Sequence, residues 1–236
     1  MKLEMIAFDA DDTLWHSESY YHDAQNAFAD MLAPYGVEKE TAFEVLHRVD
    51  ISNLPAFGYG IKGFIISMVE AAVEATGGRI SAEAIQKIVG LGREMTKHEI
   101  RLLDYSAETV ALLAKDYPLM LITKGDLMDQ ERKLADSGLE SSFQQVEIVS
   151  DKTSGVYAAL LRKHGLAAER FLMVGNSMRS DILPVLELGG RAVYVPYALT
   201  WIHESGTAPV SADGRFHEIE HLGLLPELVK QIEQRD

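Results

Sequence analysis

The chain contains no cysteine, so it can form neither a disulfide nor a thiolate metal site. Positive charge is also scarce, because 22 Lys and Arg face 36 Asp and Glu and the net charge is −14. An acidic chain of this kind disfavours a nucleic-acid backbone or an anionic membrane as a partner. No apolar run approaches the ~20 residues of a membrane span, and no secretory leader is expected. We therefore expect a soluble cytoplasmic protein, a monomer or a homodimer.

The 236 residues, 47% of them hydrophobic, suffice for a sizeable core. Short apolar runs alternate with amphipathic helical segments, a pattern typical of an α/β fold with a parallel sheet. The predicted strands are Leu3–Phe8, Leu119–Thr123, Val146–Val149, Phe171–Val174 and Ala192–Val195.

One connection breaks this alternation. Between the first and second predicted strands the apolar residues follow a helical spacing, as at Phe64, Met68 and Ala72. We predict a helical domain over residues 17–99, inserted into a core domain formed by residues 1–16 and 100–236.

Two aspartates stand directly after the first predicted strand. Asp9 and Asp11 are spaced i and i+2, and Thr13 follows. In extended chain, i and i+2 project to the same side, so one carboxylate can attack while the other transfers a proton. The alternative is an acidic loop, such as a calcium-type turn.

Polar residues also follow the later strands. Thr123, Lys124 and Gly125 follow the second strand, Lys152 follows the third, and a segment running from Gly175-Asn176 to Asp181 follows the fourth. Ligands bind at the carboxyl ends of strands in open parallel sheets. Taken singly, these residues also fit ordinary turns and a solvated lysine.

The order of these residues resembles the four motifs of the haloacid dehalogenase (HAD) superfamily: an aspartate pair, a threonine, a lysine and Gly-Asn-x-x-x-x-Asp. The resemblance implies a Rossmann-like, doubly wound parallel sheet. The helical insertion has the size and position of that superfamily's C1 cap. Caps of this size accompany small phosphorylated metabolites as substrates.

The resemblance also implies the catalytic roles. Asp9 would attack phosphorus, and Asp11 would protonate the leaving alkoxide and then deprotonate the hydrolytic water. Thr123 would bind a phosphoryl oxygen, and Lys152 would neutralise charge on Asp9 and the phosphate. Lys124 and Gly125 are further candidate substrate contacts. Lys124 departs from the motif, which often carries asparagine there, and it either contacts a substrate anion or lies on the surface.

Magnesium is the implied cofactor. Its expected ligands are the Asp9 carboxylate, the main-chain carbonyl of Asp11, and Asp181, with Asn176 beside them. Asn176 departs from the motif, which usually carries an acid there, so we expect weaker magnesium binding than in an acidic version. Positive charge for an anionic substrate would come from Lys152, Lys124 and the metal.

Several alternatives remain open. Members that cleave carbon–halogen bonds lack the second aspartate, so Asp11 favours phosphoryl chemistry over dehalogenation. A phosphomutase would use the same four motifs, and Asn176 leaves room for a catalytically silent binding protein. A receiver domain carries similar residues, but its acceptor aspartate follows the third strand. The pair His203-Glu204 has too few ligands for a zinc site and is interpreted as loop packing.

Overall fold

The computed structural model describes residues 2–199, 201, 204, 206 and 214–235, so His203 lies outside the described residues. The chain divides into two compact units. The sheet unit comprises Met1–Glu18, Ile100–Lys124 and Gln130–Asp236, and the helical unit comprises Ser19–Glu99 and Gly125–Asp129. Compared with the predicted bounds, the helical unit starts two residues later, and it also takes in Gly125–Asp129, which the sequence analysis assigned to the core domain.

The described residues of the sheet unit form a six-stranded sheet in the order β3-β2-β1-β4-β5-β6, and every neighbouring pair is parallel. Its strands are β1 Met5–Phe8, β2 Leu119–Lys124, β3 Gln145–Val149, β4 Phe171–Gly175, β5 Arg191–Tyr194 and β6 Phe216–Glu218. The predicted α/β fold with a doubly wound parallel sheet is confirmed. The short strand β6 was not predicted.

Alternation along the central strands forms two separate cores, because successive side chains point to opposite faces of a sheet. Ile6 and Phe8 of β1 belong to one apolar cluster, together with Val229 of the C-terminal helix. Met5 and Ala7 belong to another. Helices therefore cover both faces, and the strands between them are buried.

The helices of the described chain alternate with strands in the sheet unit and follow one another in the helical unit. Their bounds are α1 Glu18–Leu32, α2 Lys39–Phe57, α3 Ile61–Ala75, α4 Ala82–Met95, α5 Ser106–Leu113, α6 Leu127–Ser137, α7 Ser154–His164, α8 Leu183–Glu187 and α9 Leu225–Arg235. None of these helices is long and apolar enough to span a bilayer.

The helical unit has a core of its own. The residues Phe28, Phe64, Met68 and Ile88 are buried together in a cluster drawn from Ala24 to Met95. The helical spacing noted in the sequence therefore reports core packing. Within this unit, the exposed Lys62 forms an ion pair with Asp126 at 3.3 Å.

Two helix starts are unusual. Ser106 is the first residue of α5 and follows Tyr105, whose φ is 67°. After β4, the chain first forms a π-helix over Met178–Ile182 before α8 begins. Single-turn π segments are often found at functional sites, and this one contains Asp181.

Candidate active site

The carboxyl ends of β2, β1 and β4 lie side by side at one edge of the sheet. Phe8 of β1 pairs with Leu121 of β2 and with Val174 of β4, so the residues that follow these strands emerge together. The chain thereby brings Asp9 next to residues more than 140 positions away, including Lys152.

Asp9 is buried, with 7% of its surface exposed, and both of its carboxylate oxygens have partners. Its Oδ2 accepts a hydrogen bond of 2.9 Å from the hydroxyl of Thr13. Its Oδ1 accepts one of 2.5 Å from the ammonium of Lys152. The backbone amide of Asp9 donates to the carbonyl of Val174 on β4 at 2.9 Å, which fixes the residue at the strand end.

Lys152 joins Asp9 to Asp181. Its Nζ lies 2.7 Å from Asp181 Oδ1, and the other oxygen of Asp181 accepts the backbone amide of Ser177 at 2.9 Å. Burial works against a charged lysine, but the carboxylates of Asp181 and Asp9 outweigh it and raise the Lys152 pKa above its ordinary value. The predicted sites Asp9, Lys152 and Asp181 are therefore in direct contact.

Burial also changes the pKa of Asp9, the candidate nucleophile. It raises the pKa of Asp9 to about 7, an effect that Lys152 opposes and that Asp181 reinforces. Two carboxylates share one ammonium here, so the fully ionised cluster keeps a net negative charge. Further positive charge beside Asp9 would favour its ionised, nucleophilic form.

Asn176 contacts the aspartate motif. Its backbone amide donates to the Thr13 hydroxyl at 3.1 Å. With the side-chain nitrogen facing the acceptors, Asn176 donates to Asp9 Oδ2 at 3.2 Å and to the main-chain carbonyl of Asp11 at 3.3 Å. Asn176 thus faces Asp9 and the Asp11 carbonyl, two of the expected metal ligands.

The side chain of Asp11 is surrounded by donors. Lys133 contacts both carboxylate oxygens at 2.9 Å, Trp15 donates to Oδ1 at 2.7 Å, and Gln130 donates to Oδ2 at 2.8 Å. Although burial works to raise the pKa of Asp11, the charge of Lys133 and these hydrogen bonds hold it below the ordinary value.

The residues that follow β2, Thr123 to Gly125, match the expectations only in part. Thr123 is buried at the end of β2, and its bond to a phosphoryl oxygen stays a prediction. Gly125 adopts a φ of +136°, a conformation that favours glycine. Lys124 is not a solvated surface lysine, because only 15% of its side chain is exposed.

Lys124 is instead held by a carboxylate from the loop after β5. Its ammonium forms an ion pair with Glu204 and donates to the Ser180 hydroxyl at 2.9 Å. Glu204 also accepts from Ser180 at 2.5 Å and from Ser177. Burial opposes the charge of Glu204, but Lys124 and the serines lower its pKa to about 2. The positive charge expected from Lys124 is thus matched by Glu204.

The residues present fit a magnesium ion. Asp9 and Asp181 share one ammonium, and the Asp11 carbonyl and Asp9 Oδ2 both lie about one hydrogen bond from the Asn176 amide. Hard oxygen donors of this kind suit Mg²⁺, which keeps several waters when few side chains bind it. Among the described residues, no cluster of three or more His, Cys, Asp or Glu side chains forms a ready metal centre. The magnesium site stays a prediction.

Sequence reasoning missed several contact residues. Thr13 was noted in the motif but was given no role, and Gln130 and Lys133 were not considered as site residues. Glu204 was interpreted as loop packing, but it pairs with Lys124 beside the motifs. Gln130 and Lys133 are spaced i and i+3 on α6, which places them on one helix face. Polar residues at that spacing are usually solvated, so only their burial reveals them.

Comparison with known proteins gives concordant relatives. A family model described as haloacid dehalogenase-like hydrolase matches residues 3–189. Glyceraldehyde 3-phosphate phosphatase of Methanothermobacter thermautotrophicus is 26% identical over 212 residues, which are 84% of this chain and 88% of that protein. N-acylneuraminate-9-phosphatase of Mus musculus is 25% identical over 170 residues, 70% of this chain and 66% of that protein.

Solved structures show the same fold. A haloacid dehalogenase-like family hydrolase from Xanthomonas campestris is 39% identical, with a TM-score of 0.86 and coverage of 99% of this chain and 95% of that one. A 2-haloacid dehalogenase from Pseudomonas syringae pv. Tomato DC3000 is 23% identical, with a TM-score of 0.66 and coverage of 97% and 99%. At that identity, the second likeness concerns the fold alone.

Proposed function

Since the chain belongs to the haloacid dehalogenase-like hydrolases, we propose that it hydrolyses a small phosphorylated metabolite, a phosphomonoester, through an aspartyl-phosphate on Asp9. The observation that carries the proposal is the buried contact of Lys152 with both Asp9 and Asp181 at the end of β1. Asp11, two residues after Asp9, provides the second carboxylate that phosphoryl chemistry requires.

The reaction has two steps. In the first, a carboxylate oxygen of Asp9 attacks phosphorus, the bond from phosphorus to the ester oxygen breaks, and Asp11 gives its proton to the departing alkoxide. In the second, Asp11 removes a proton from water as that water attacks phosphorus. The bond from phosphorus to Asp9 then breaks, which releases inorganic phosphate and restores both aspartates.

Fixed cations and donors assist both steps. Lys152 offsets the negative charge that Asp9 and the phosphoryl group bring together, and Thr13 holds the second oxygen of Asp9. Thr123 and Gly125 are the proposed donors to the phosphoryl oxygens. Lys124 would serve the substrate only in competition with Glu204.

Magnesium is part of the proposal. Asp9, Asp181 and the Asp11 carbonyl would hold it, with Asn176 beside them. When bound, Mg²⁺ would supply charge that offsets the phosphoryl oxygens and orients them. Burial raises the pKa of Asp9 to about 7, and a nearby cation would favour its ionised, nucleophilic form.

We propose the role of a C1 cap, which selects the substrate, for the segment Ser19–Glu99 of the helical unit. Its insertion between β1 and β2 and its independent core support this assignment. The named relatives suggest the first compounds to try: glyceraldehyde 3-phosphate and N-acylneuraminate 9-phosphate.

The test is a phosphate-release screen of phosphorylated metabolites with Mg²⁺, beginning with these two compounds. We expect turnover by the native chain and none by Asp9→Asn, which retains the size of the side chain but removes the nucleophile. The Asp11→Asn variant should lose about 10²–10⁴-fold, the usual contribution of general acid–base catalysis.

Three outcomes would contradict the proposal. Phosphate transfer between positions of a sugar phosphate without release would indicate a mutase. Chloride release from 2-chloropropionate without phosphatase activity would indicate a dehalogenase. The absence of turnover, with binding retained, would indicate a silent binding protein.

A further inference from the structure

The carboxylate of Asp11 is fully engaged by donors from two elements. Each oxygen accepts one bond of 2.9 Å from Lys133 Nζ, and each accepts a second bond, from Trp15 or from Gln130. A carboxylate with four donors has little freedom to rotate. Its position is therefore set by Trp15, four residues later in the same loop, and by helix α6.

Helix α6 brings the two long polar side chains inward. Gln130 and Lys133 are 3% and 7% exposed, although both side chains usually lie in solvent. Gln130 also donates to the main-chain carbonyl of Lys124 at 3.1 Å, so it links Asp11 to the end of β2. A buried ammonium is costly unless it is paired, which makes Asp11 a required partner of Lys133.

We infer that Lys133 is a positioning residue that, together with Gln130, holds the Asp11 carboxylate for proton transfer at the leaving group. This inference rests on the proposed phosphatase function. The four bonds belong to the ionised form, so a protonated Asp11 must give up one of them. As the proton leaves Asp11 for the alkoxide oxygen, that bond forms again, and the adjacent Lys133 stabilises the resulting anion. Lys133 retains all its protons throughout and does not touch the substrate.

The leaving group separates this role from a purely structural one. An alkyl phosphate must receive a proton on its departing oxygen, whereas p-nitrophenyl phosphate releases a stable phenolate and needs little protonation. Loss of Asp11 positioning should therefore lower kcat/KM for alkyl esters more than for the aryl ester. A general loss of folded enzyme would lower both equally.

The experiment compares Lys133→Met, Lys133→Arg and Gln130→Leu with the native enzyme. The substrates are the alkyl phosphate turned over fastest in the metabolite screen and p-nitrophenyl phosphate, both with saturating Mg²⁺. The matched control is Lys230→Met, which makes the same change at an ion-paired lysine whose side chain is 66% exposed on α9. Circular dichroism checks that each variant is folded.

For Lys133→Met we expect the alkyl-to-aryl ratio of kcat/KM to fall at least about tenfold, a fraction of what a general acid contributes. Lys133→Arg keeps the charge and should restore most of the ratio, and Gln130→Leu should lower it by a few-fold. Lys230→Met should leave the ratio unchanged.

An unchanged ratio in folded Lys133→Met would overturn the inference while leaving the phosphatase proposal standing. If Lys133→Met does not fold, an unchanged ratio in folded Gln130→Leu would overturn it equally. A native enzyme that releases no phosphate from any ester would overturn the proposed function itself, and this inference with it.

Discussion

Asn176 is the residue at which this site differs from the motif it otherwise matches. Its amide faces two oxygens, Asp9 Oδ2 and the Asp11 carbonyl, and it adds no negative charge. An aspartate there would stand against the Asp9 carboxylate, which burial already brings to a pKa of about 7. The asparagine therefore reduces repulsion among the carboxylates, but it also leaves less negative charge to attract a cation.

We predict that Asn176→Asp binds Mg²⁺ more tightly, with the half-saturating concentration lower by up to about tenfold. One added charge near a divalent ion contributes several kcal/mol at short range, and repulsion from Asp9 and Asp181 offsets part of it. Titrating phosphate release against Mg²⁺ after treatment with EDTA measures the change. Asn26→Asp, on α1, adds the same charge in the helical unit and should have no effect. Equal half-saturation in all three proteins would contradict the prediction.

At the residue scale, the sequence predicts which residues form the site better than it predicts what their side chains contact. Asp9, Lys152 and Asp181 were predicted from their order after successive strands, and they are in contact. The surroundings of Asp11 were not predictable, because Lys133 and Gln130 belong to a helix whose buried face depends on tertiary packing. Lys124 illustrates the same limit: its partner Glu204 lies 80 positions away.

Among the elements, the junction of β4 with the π-helix determines where Asp181 lies. Gly175 ends the strand, and a Cβ atom built on it would meet the Asp181 carboxylate at 2.3 Å. Only a residue without a side chain permits this approach, which lets Asp181 reach Lys152. The need for glycine here is therefore steric.

We predict that Gly175→Ala lowers phosphate release at least about 100-fold, because even a displacement of 1 Å at a catalytic group can cost this much. Overpacking should also destabilise the fold by ~1–3 kcal/mol. Steady-state kinetics and urea unfolding measure the two effects. Gly155→Ala in α7 is the matched control, since its Cβ would meet only the Thr153 hydroxyl at an ordinary 3.8 Å. Equal activity in both variants would contradict the steric argument.

Element predictions succeeded where periodicity was strong and failed where it was short. The central strands β1, β2 and β4 were found within two residues of their ends because buried parallel strands form continuous apolar runs. The strand β6 has only three residues, too few for an alternation to be recognised. The π-helix at Met178–Ile182 could not be distinguished from an α-helix, since its cap, Ser177, is a residue type that also caps α-helices.

In the whole molecule, negative charge is in excess, but positive charge lies beside the motifs. The chain carries a net charge of −14, yet three lysines beside the motifs are largely buried. Each is matched by carboxylates: Lys124 by Glu204, Lys133 by Asp11, and Lys152 by Asp9 and Asp181. The lysines therefore leave no excess positive charge for a phosphate dianion. This balance is the strongest whole-molecule argument that a cation accompanies the substrate.

The sheet unit and the helical unit have separate apolar cores. The clusters of the sheet unit run through β1, β2 and β4, whereas the buried members of the helical cluster lie between Ala24 and Met95. Residues in separate cores contribute to separate cooperative units when each core suffices for local stability. The two units should then respond independently to loss of packing.

We predict that Met68→Ala, in α3, destabilises the helical unit by ~2–5 kcal/mol while leaving the protection of β1 and β4 unchanged. Leu172→Ala, in β4, should do the reverse, because it removes a side chain of equal burial from the sheet core. Hydrogen exchange of each folded variant is compared with that of the native chain. Mass spectrometry of peptides from α3, β1 and β4 measures both effects. Faster exchange in all three peptides from either substitution would mean that the chain unfolds as one cooperative unit. In that case the helical insertion would stabilise the sheet that carries Asp9, and removing it would abolish the site together with any selection of substrate.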